Sequence, residues 1–195
     1  MKKSLLLLVL LIAVSGFSDA QSLFYGGSVR GSYTQYSAAN VNMDMVSDRY
    51  NHNQADFFGH AFTMDADLVQ LGRGVSLGVH CGIVQTSYKS LSDSSVSHMA
   101  GFHYGVDIQC HLLSVIGMYS NRWDLACGVM LGSYTSRYVS PLTEYGLKIS
   151  VAYYPLEHIG VFAEYGWGQY IYAFRNFPVL STSTTQAKLG VSYRF

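Results

Sequence analysis

The chain has 195 residues, 12 Lys+Arg against 12 Asp+Glu, and a formal net charge of zero. Charged residues make up only 12%, about half the share usual in a soluble chain, while aromatics reach 14% and Gly numbers 19. This balance excludes a basic nucleic-acid footprint, intrinsic disorder and a helical bundle, and favours an all-β protein in an unusual solvent.

The first element is a leader. Met1, Lys2 and Lys3 form a basic start, Leu5 to Val14 an apolar run, and Ser18-x-Ala20 a small-x-small ending. That is the anatomy of a secretory signal peptide, with cleavage expected after Ala20. The apolar run is short of the about 20 residues that span a bilayer, and no Cys follows to carry a lipid. The expected organisation is a signal peptide over 1–20 and one β domain over 21–195. Later apolar stretches such as Leu112 to Met118 are too short for a transmembrane helix.

Eight alternating runs follow, near 23–36, 56–69, 75–88, 99–113, 122–135, 143–154, 159–171 and 183–195. Side chains of a strand alternate between two faces. In the second run Phe58, His60, Phe62, Met64, Ala66 and Leu68 oppose Gly59, Ala61, Thr63, Asp65 and Asp67. In the fourth, Phe102, Tyr104, Val106, Ile108 and Cys110 oppose Gly101, His103, Gly105, Asp107 and Gln109. In the seventh, Ile159, Val161, Ala163, Tyr165 and Trp167 oppose Gly160, Phe162, Glu164, Gly166 and Gly168. No run places Asp, Glu, Lys or Arg on its apolar face.

Size decides which face is outside. An eight-stranded barrel has an interior just wide enough for side chains, so the bulky apolar set would overfill it. The Gly, Ser and Ala set with scattered ions fits, and the apolar set then faces lipid. Aromatics gather toward both rims: Tyr25, Trp123, Tyr153, Tyr193 and Phe195 at one, Tyr33, Phe58, Phe102, Tyr104 and Tyr145 at the other. The predicted fold is an eight-stranded antiparallel up-and-down transmembrane β-barrel. Gaps after the even runs are mostly tight, whereas Ser37–Ala55, Lys89–His98, Ser136–Leu142 and Tyr172–Thr182 are mostly longer or more polar. Short turns face the periplasm in such barrels, which would put both termini there.

The last run carries apolar residues at every second position, Leu189, Val191, Tyr193 and Phe195. Here the chain resembles the small outer-membrane β-barrel proteins of Gram-negative bacteria, the group that includes OmpX-like, OmpA-barrel-like and PorT-like barrels. The resemblance covers the mature chain and concerns architecture. It implies residence among outer-membrane lipids, and it implies that these four residues are the signal read by the barrel assembly machinery. A PorT-like role would make the protein an accessory of secretion, with an unknown secretion component as partner.

The inward set holds ions of both signs. Arg30, Asp65, His80, Asp107, Lys148, Glu164 and Lys188 are expected to form a lumenal ion network. Counting from strand ends puts Glu164 level with Lys148 and Lys188, Arg30 near Asp65, and His80 near Asp107. Paired charges packed in the lumen account for these residues better than an ion path, since an unpaired buried charge is costly. His80 and His103 both point inward near Asp107, but their estimated heights differ by several residues, which argues against a metal. No Ser-His-acid set suited to covalent catalysis can be assembled from spacing alone, including around Ser97 and His98. Cys81, Cys110 and Cys127 fall on the apolar face as small lipid-facing side chains. No phosphate loop, zinc spacing or dinucleotide fingerprint occurs. The reading is therefore an outer-membrane barrel without cofactor, no wide pore, and a structural or surface-interaction role through its outer loops toward an unknown surface ligand. A lipid-modifying enzyme is the alternative.

Overall fold

Alternation gives each run two faces, and the hydrogen-bond register decides how those faces are used. A computed structural model describes residues 27–42, 54–70, 74–90, 96–118, 120–136, 139–172 and 180–195. The expected leader and Leu23 and Tyr25 of the first run lie outside the described residues. The strands are β1 (Ser28–Asn42), β2 (Gln54–Gln70), β3 (Val75–Ser90) and β4 (Val96–His111), then β5 (Trp123–Ser136), β6 (Val139–Tyr153), β7 (Ile159–Tyr172) and β8 (Leu180–Arg194). One four-residue helix, α1 (Leu112–Val115), sits between β4 and β5.

Each strand pairs antiparallel with the next, and β8 closes on β1 from Ser28↔Arg194 to Ala38↔Thr184. The circuit is staggered. The row Val29, Ala66, Val79, Val106, Leu131, Tyr145, Gln169, Ser183 ends one residue short of Thr184, the partner of Ala38. A full turn thus leads from position 29 to position 39, a climb of ten residues. Such a stagger tilts the strands by about 40°.

Burial shows the inversion expected of a membrane barrel. Arg30, Lys148, Lys188, Asp65, Asp107, Glu144 and Glu164 are buried, while Phe62 and Ile83 are 76% and 70% exposed. A water-soluble fold would do the reverse. The exposed side chains form a continuous belt. On β6 it runs from Tyr145 through Leu147, Ile149 and Val151 to Tyr153. Nine residues cover about 26 Å of strand, or about 20 Å of membrane thickness at that tilt, close to the apolar band of about 25 Å in such barrels. Trp123 and Tyr153 pack at 4.7 Å on the rim near the strand termini, where Tyr193 also stands. At the opposite rim the outward positions turn polar, with Gln35, His60 and Gln85 in one cross-strand row and Thr143, Gln169 and Ser183 continuing the change on β6 to β8. His60 hydrogen-bonds the Tyr33 hydroxyl there. A closed wall with no free edge, an apolar outside and an ionic inside make this an outer-membrane β-barrel.

Two details differ from the sequence expectation. The strands overrun the lipid belt at the end away from Ser28 and Arg194, and the expected loop over Ser136–Leu142 shrinks to positions 137–138. Asymmetry between the two ends therefore resides in projecting strands as well as in loops. A hairpin leaving the membrane continues its ladder in water as long as its backbone partners stay in register. At the other end, the connection 112–122 is long because it holds α1. The three cysteines are free and outward; Cys110 and Cys127 are Cα partners.

Facing is testable by charge. Val191 is exposed on the belt, whereas Ser192 is buried opposite Arg30 on β1. Val191→Asp and Leu147→Lys should sharply lower the folded, membrane-inserted fraction; a basic residue at mid-belt costs about 2–4 kcal/mol and an acidic one less. Ser192→Asp, with Arg30 as its neighbour, should be the mildest of the three. The fraction that resists SDS before boiling measures the order, and an inverted order would reverse the assigned faces.

Candidate functional site

The inward positions of seven strands meet in one connected polar core. Lys188 on β8 lies 2.7 Å from Asp65 on β2 and 3.1 Å from Glu164 on β7. Glu164 lies 3.7 Å from Lys148 on β6, and Lys148 lies 3.1 Å from Asp107 on β4. Asp107 accepts a 2.9 Å hydrogen bond from the Nδ1 of His80 on β3. Asp65, Lys188, Glu164, Lys148 and Asp107 thus form a chain of alternating sign that crosses the lumen, and His80 joins it at Asp107. Every member is at least nine-tenths buried.

Arg30 stands beside Asp65 in the register, as the sequence leads one to expect, but its ion pair belongs to a second cluster. Its Cα partner is Asp65, yet its guanidinium reaches Asp67, 3.4 Å away, because Asp65 is held by Lys188 and the long side chain slants along the strand. Asp67 also accepts from Ser28 at 2.6 Å and from Gln109 at 3.0 Å. The guanidinium stands over the Phe162 ring, 5.5 Å from its centre, which closes the lumen below the ion chain.

The histidines depart from the expectation. His80 and His103 stack with ring centres 4.8 Å apart. Counting from strand ends separates them in height, but the register sets Gly82 opposite His103, so the two histidines are diagonal neighbours. Glycine makes the room: a Cβ at Gly105 would stand 2.6 Å from the His80 ring, and one at Gly132 would stand 3.0 Å from His103 Nε2. His103 bonds the Glu144 carboxylate at 2.9 Å and the Tyr36 hydroxyl at 3.1 Å, while Thr184 donates to the other Glu144 oxygen at 2.9 Å. Glu144, Tyr36 and Thr184 extend the polar core toward the end with projecting strands.

The core is rich in acid. It contains five buried carboxylates, Asp65, Asp67, Asp107, Glu144 and Glu164, against three cations, Arg30, Lys148 and Lys188. His80 stands on Asp107 and His103 on Glu144. Asp65, His80 and Asp107 place ligand atoms within 4.8 Å of one another, a spacing open to a metal ion. The ammonium groups of Lys188 and Lys148 already occupy the cation positions on both carboxylates, so a metal would have to displace them. Among the described residues, Asp65 Oδ2, His80 Nε2 and Gln186 Oε1 find no hydrogen-bond partner. Lys148 and Glu164 meet as ions without hydrogen-bond alignment.

Glu164 is the joint of the chain, since it alone among the described residues bridges both lysines. Glu164→Ala should lower stability by about 3–5 kcal/mol, because two buried ammonium groups each lose a partner. Glu164→Gln keeps the shape and should cost less. The temperature at which the SDS-resistant band disappears gives the comparison; equal values for the alanine variant and the parent would show that the lysines are not held by Glu164.

No family model and no curated relative matches the chain. Solved structures similar to it include Neisserial surface protein A, with 13% identity and a TM-score of 0.47 over 87% of this chain and 97% of that one. Ail, the attachment invasion locus protein of Yersinia pestis, gives 12% and 0.39 over 87% and 99%. A major outer membrane protein of Thermus thermophilus gives 15% and 0.42 over 85% and 99%. The barrel assignment for the present chain comes from its own register, belt and polar core.

Proposed function

We propose that the protein is a sealed outer-membrane scaffold whose work is done at its surface-exposed end, in envelope structure or in contact with a surface ligand. The observation that carries this reading is the ion chain from Asp65 to His80, which fills the lumen where a pore would run. An interior packed with paired ions supports a rigid post rather than a channel. In this reading the connections 43–53, 91–95, 137–138 and 173–179, with the strand ends that project beyond Gln35, His60 and Gln85, face outward. The end bearing Ser28 and Arg194 faces the periplasm.

Biogenesis belongs to the same proposal. Residues 1–20 direct export and are removed. On β8, Leu189, Val191 and Tyr193 are exposed on the lipid face, and Phe195 packs against Tyr193 at 5.2 Å. An apolar residue at every second position is a pattern an assembly machine can read along one strand edge, and these four residues are proposed as that signal.

Two measurements test the reading. Purified barrel in planar bilayers should give no large, steady conductance; a stable porin-sized step would overturn the sealed scaffold. Replacing 43–53 by a short turn should abolish binding to surfaces or host matrix while leaving the SDS-resistant barrel intact. Unchanged binding together with cargo trapped in the periplasm of a deletion strain would favour the secretion role instead.

A further inference from the structure

We propose that Ser76, His111 and Asp124, at the lumen end that carries the strand termini, form a hydrolytic row for carboxylic esters of lipids, an activity separate from the surface role above. The three residues come from adjacent strands: Ser76 is the second residue of β3, His111 ends β4 and Asp124 is the second residue of β5. His111 Nδ1 faces both Asp124 oxygens, at 3.0 and 2.9 Å. A carboxylate there fixes the proton on Nδ1 and leaves Nε2 as the acceptor. Ser76 Oγ lies 3.1 Å from that Nε2. Nucleophile, base and orienting acid therefore stand in the order and at the distances that covalent ester hydrolysis needs.

The other lumenal and rim histidines of β3 and β4 lack one member. His80 has Asp107 on one nitrogen and nothing on the other. His103 joins Glu144 to a tyrosine, and His98 bonds Ser87 without a carboxylate. Among the described residues, His111 is the histidine that bridges a serine to an acid. Ser76 Oγ has a second acceptor, Asp67, but at 3.4 Å it is the longer contact.

The surroundings point to an acyl substrate. The main-chain N–H of His111 donates to the Gly74 carbonyl at 2.6 Å, which ties the start of β3 to the end of β4. α1 continues directly from His111, and Val115 and Ile116 are 52% and 64% exposed although they are apolar. α1 packs against β5 and β4, so this exposed apolar pair stands beside the strands that carry His111 and Asp124 and offers a surface for an acyl chain. His111 and Asp124 are partly exposed at the mouth, whereas Ser76 is buried.

The step balances with water as the only co-reactant. Ser76 Oγ adds to the ester carbonyl carbon and its proton passes to His111 Nε2. The bond to the alcohol oxygen breaks, and that oxygen takes the proton. Water then adds to the acyl-serine, giving one proton to His111. Collapse releases the carboxylic acid and returns the proton to Ser76 Oγ.

The test uses the full barrel folded in detergent micelles, with SDS resistance as the check of folding. A fluorophosphonate probe should label Ser76, found by peptide mass. Labelling should vanish in Ser76→Ala and fall by roughly a hundredfold or more in His111→Asn, with Asp124→Asn also slower and all three variants still folded. p-Nitrophenyl palmitate in mixed micelles should be cleaved and the soluble butyrate ester hardly at all. Cleavage of butyrate alone would overturn the lipid assignment, and an unlabelled but folded parent, or a label that survives Ser76→Ala, would overturn the row itself. If a variant fails to fold, labelling of the parent and its loss on prior ethoxycarbonylation of histidine by diethyl pyrocarbonate still decide the matter.

Discussion

The seam between β8 and β1 is the constraint on which the rest depends. In hydrocarbon an unpaired N–H or C=O costs several kcal/mol, so eight strands can cross only if the last pairs with the first. The register from Ser28↔Arg194 to Ala38↔Thr184 does this. Once the cylinder is closed at this stagger, its bore is set, and so is the size of side chain that fits. Serines, glycines, threonines and a few long ions fill it, and Phe162, Met130, Tyr36, Tyr134 and Tyr154 are bulky exceptions.

Filling the bore with ions brings a second requirement. Each charge loses its water and has to find an opposite within the wall. The alternating order from Asp65 through Lys188, Glu164 and Lys148 to Asp107 satisfies this by giving every interior member two neighbours of opposite sign. Asp67 achieves the same by collecting Ser28, Arg30 and Gln109 around one carboxylate. The cluster is a structural solution, and its geometry explains why so narrow a barrel tolerates so many buried charges.

The strands and their faces are legible in the sequence because alternation is a local signal. Phe62 against Thr63, or Val191 against Ser192, declares its side without knowledge of any partner strand. Contacts across the lumen are only partly legible, because they depend on the stagger, which alternation does not encode. Counting from strand ends finds Glu164 with its two lysines. The same counting places Arg30 beside Asp65 and is blind to the competition from Lys188. The stack of His80 on His103 needs the true register between β3 and β4. Ser76 and Asp124 sit at strand starts and His111 at a strand end, where a shift of one or two residues in the assumed boundary erases the association.

The pairing of Ser28 with Arg194 also bears on the order of folding. It joins positions separated by nearly the whole chain, and contacts so distant in sequence are the slow ones to form. Until they form, β1 and β8 are open edges and the inward ions are still wet. Lys188 lies on the edge strand β8 and Asp65 on β2, one strand in from the other edge, and they reach each other only in the finished cylinder. The centre of the molecule therefore dries at the moment its edges meet, and closure of the wall and expulsion of water from the bore are one event.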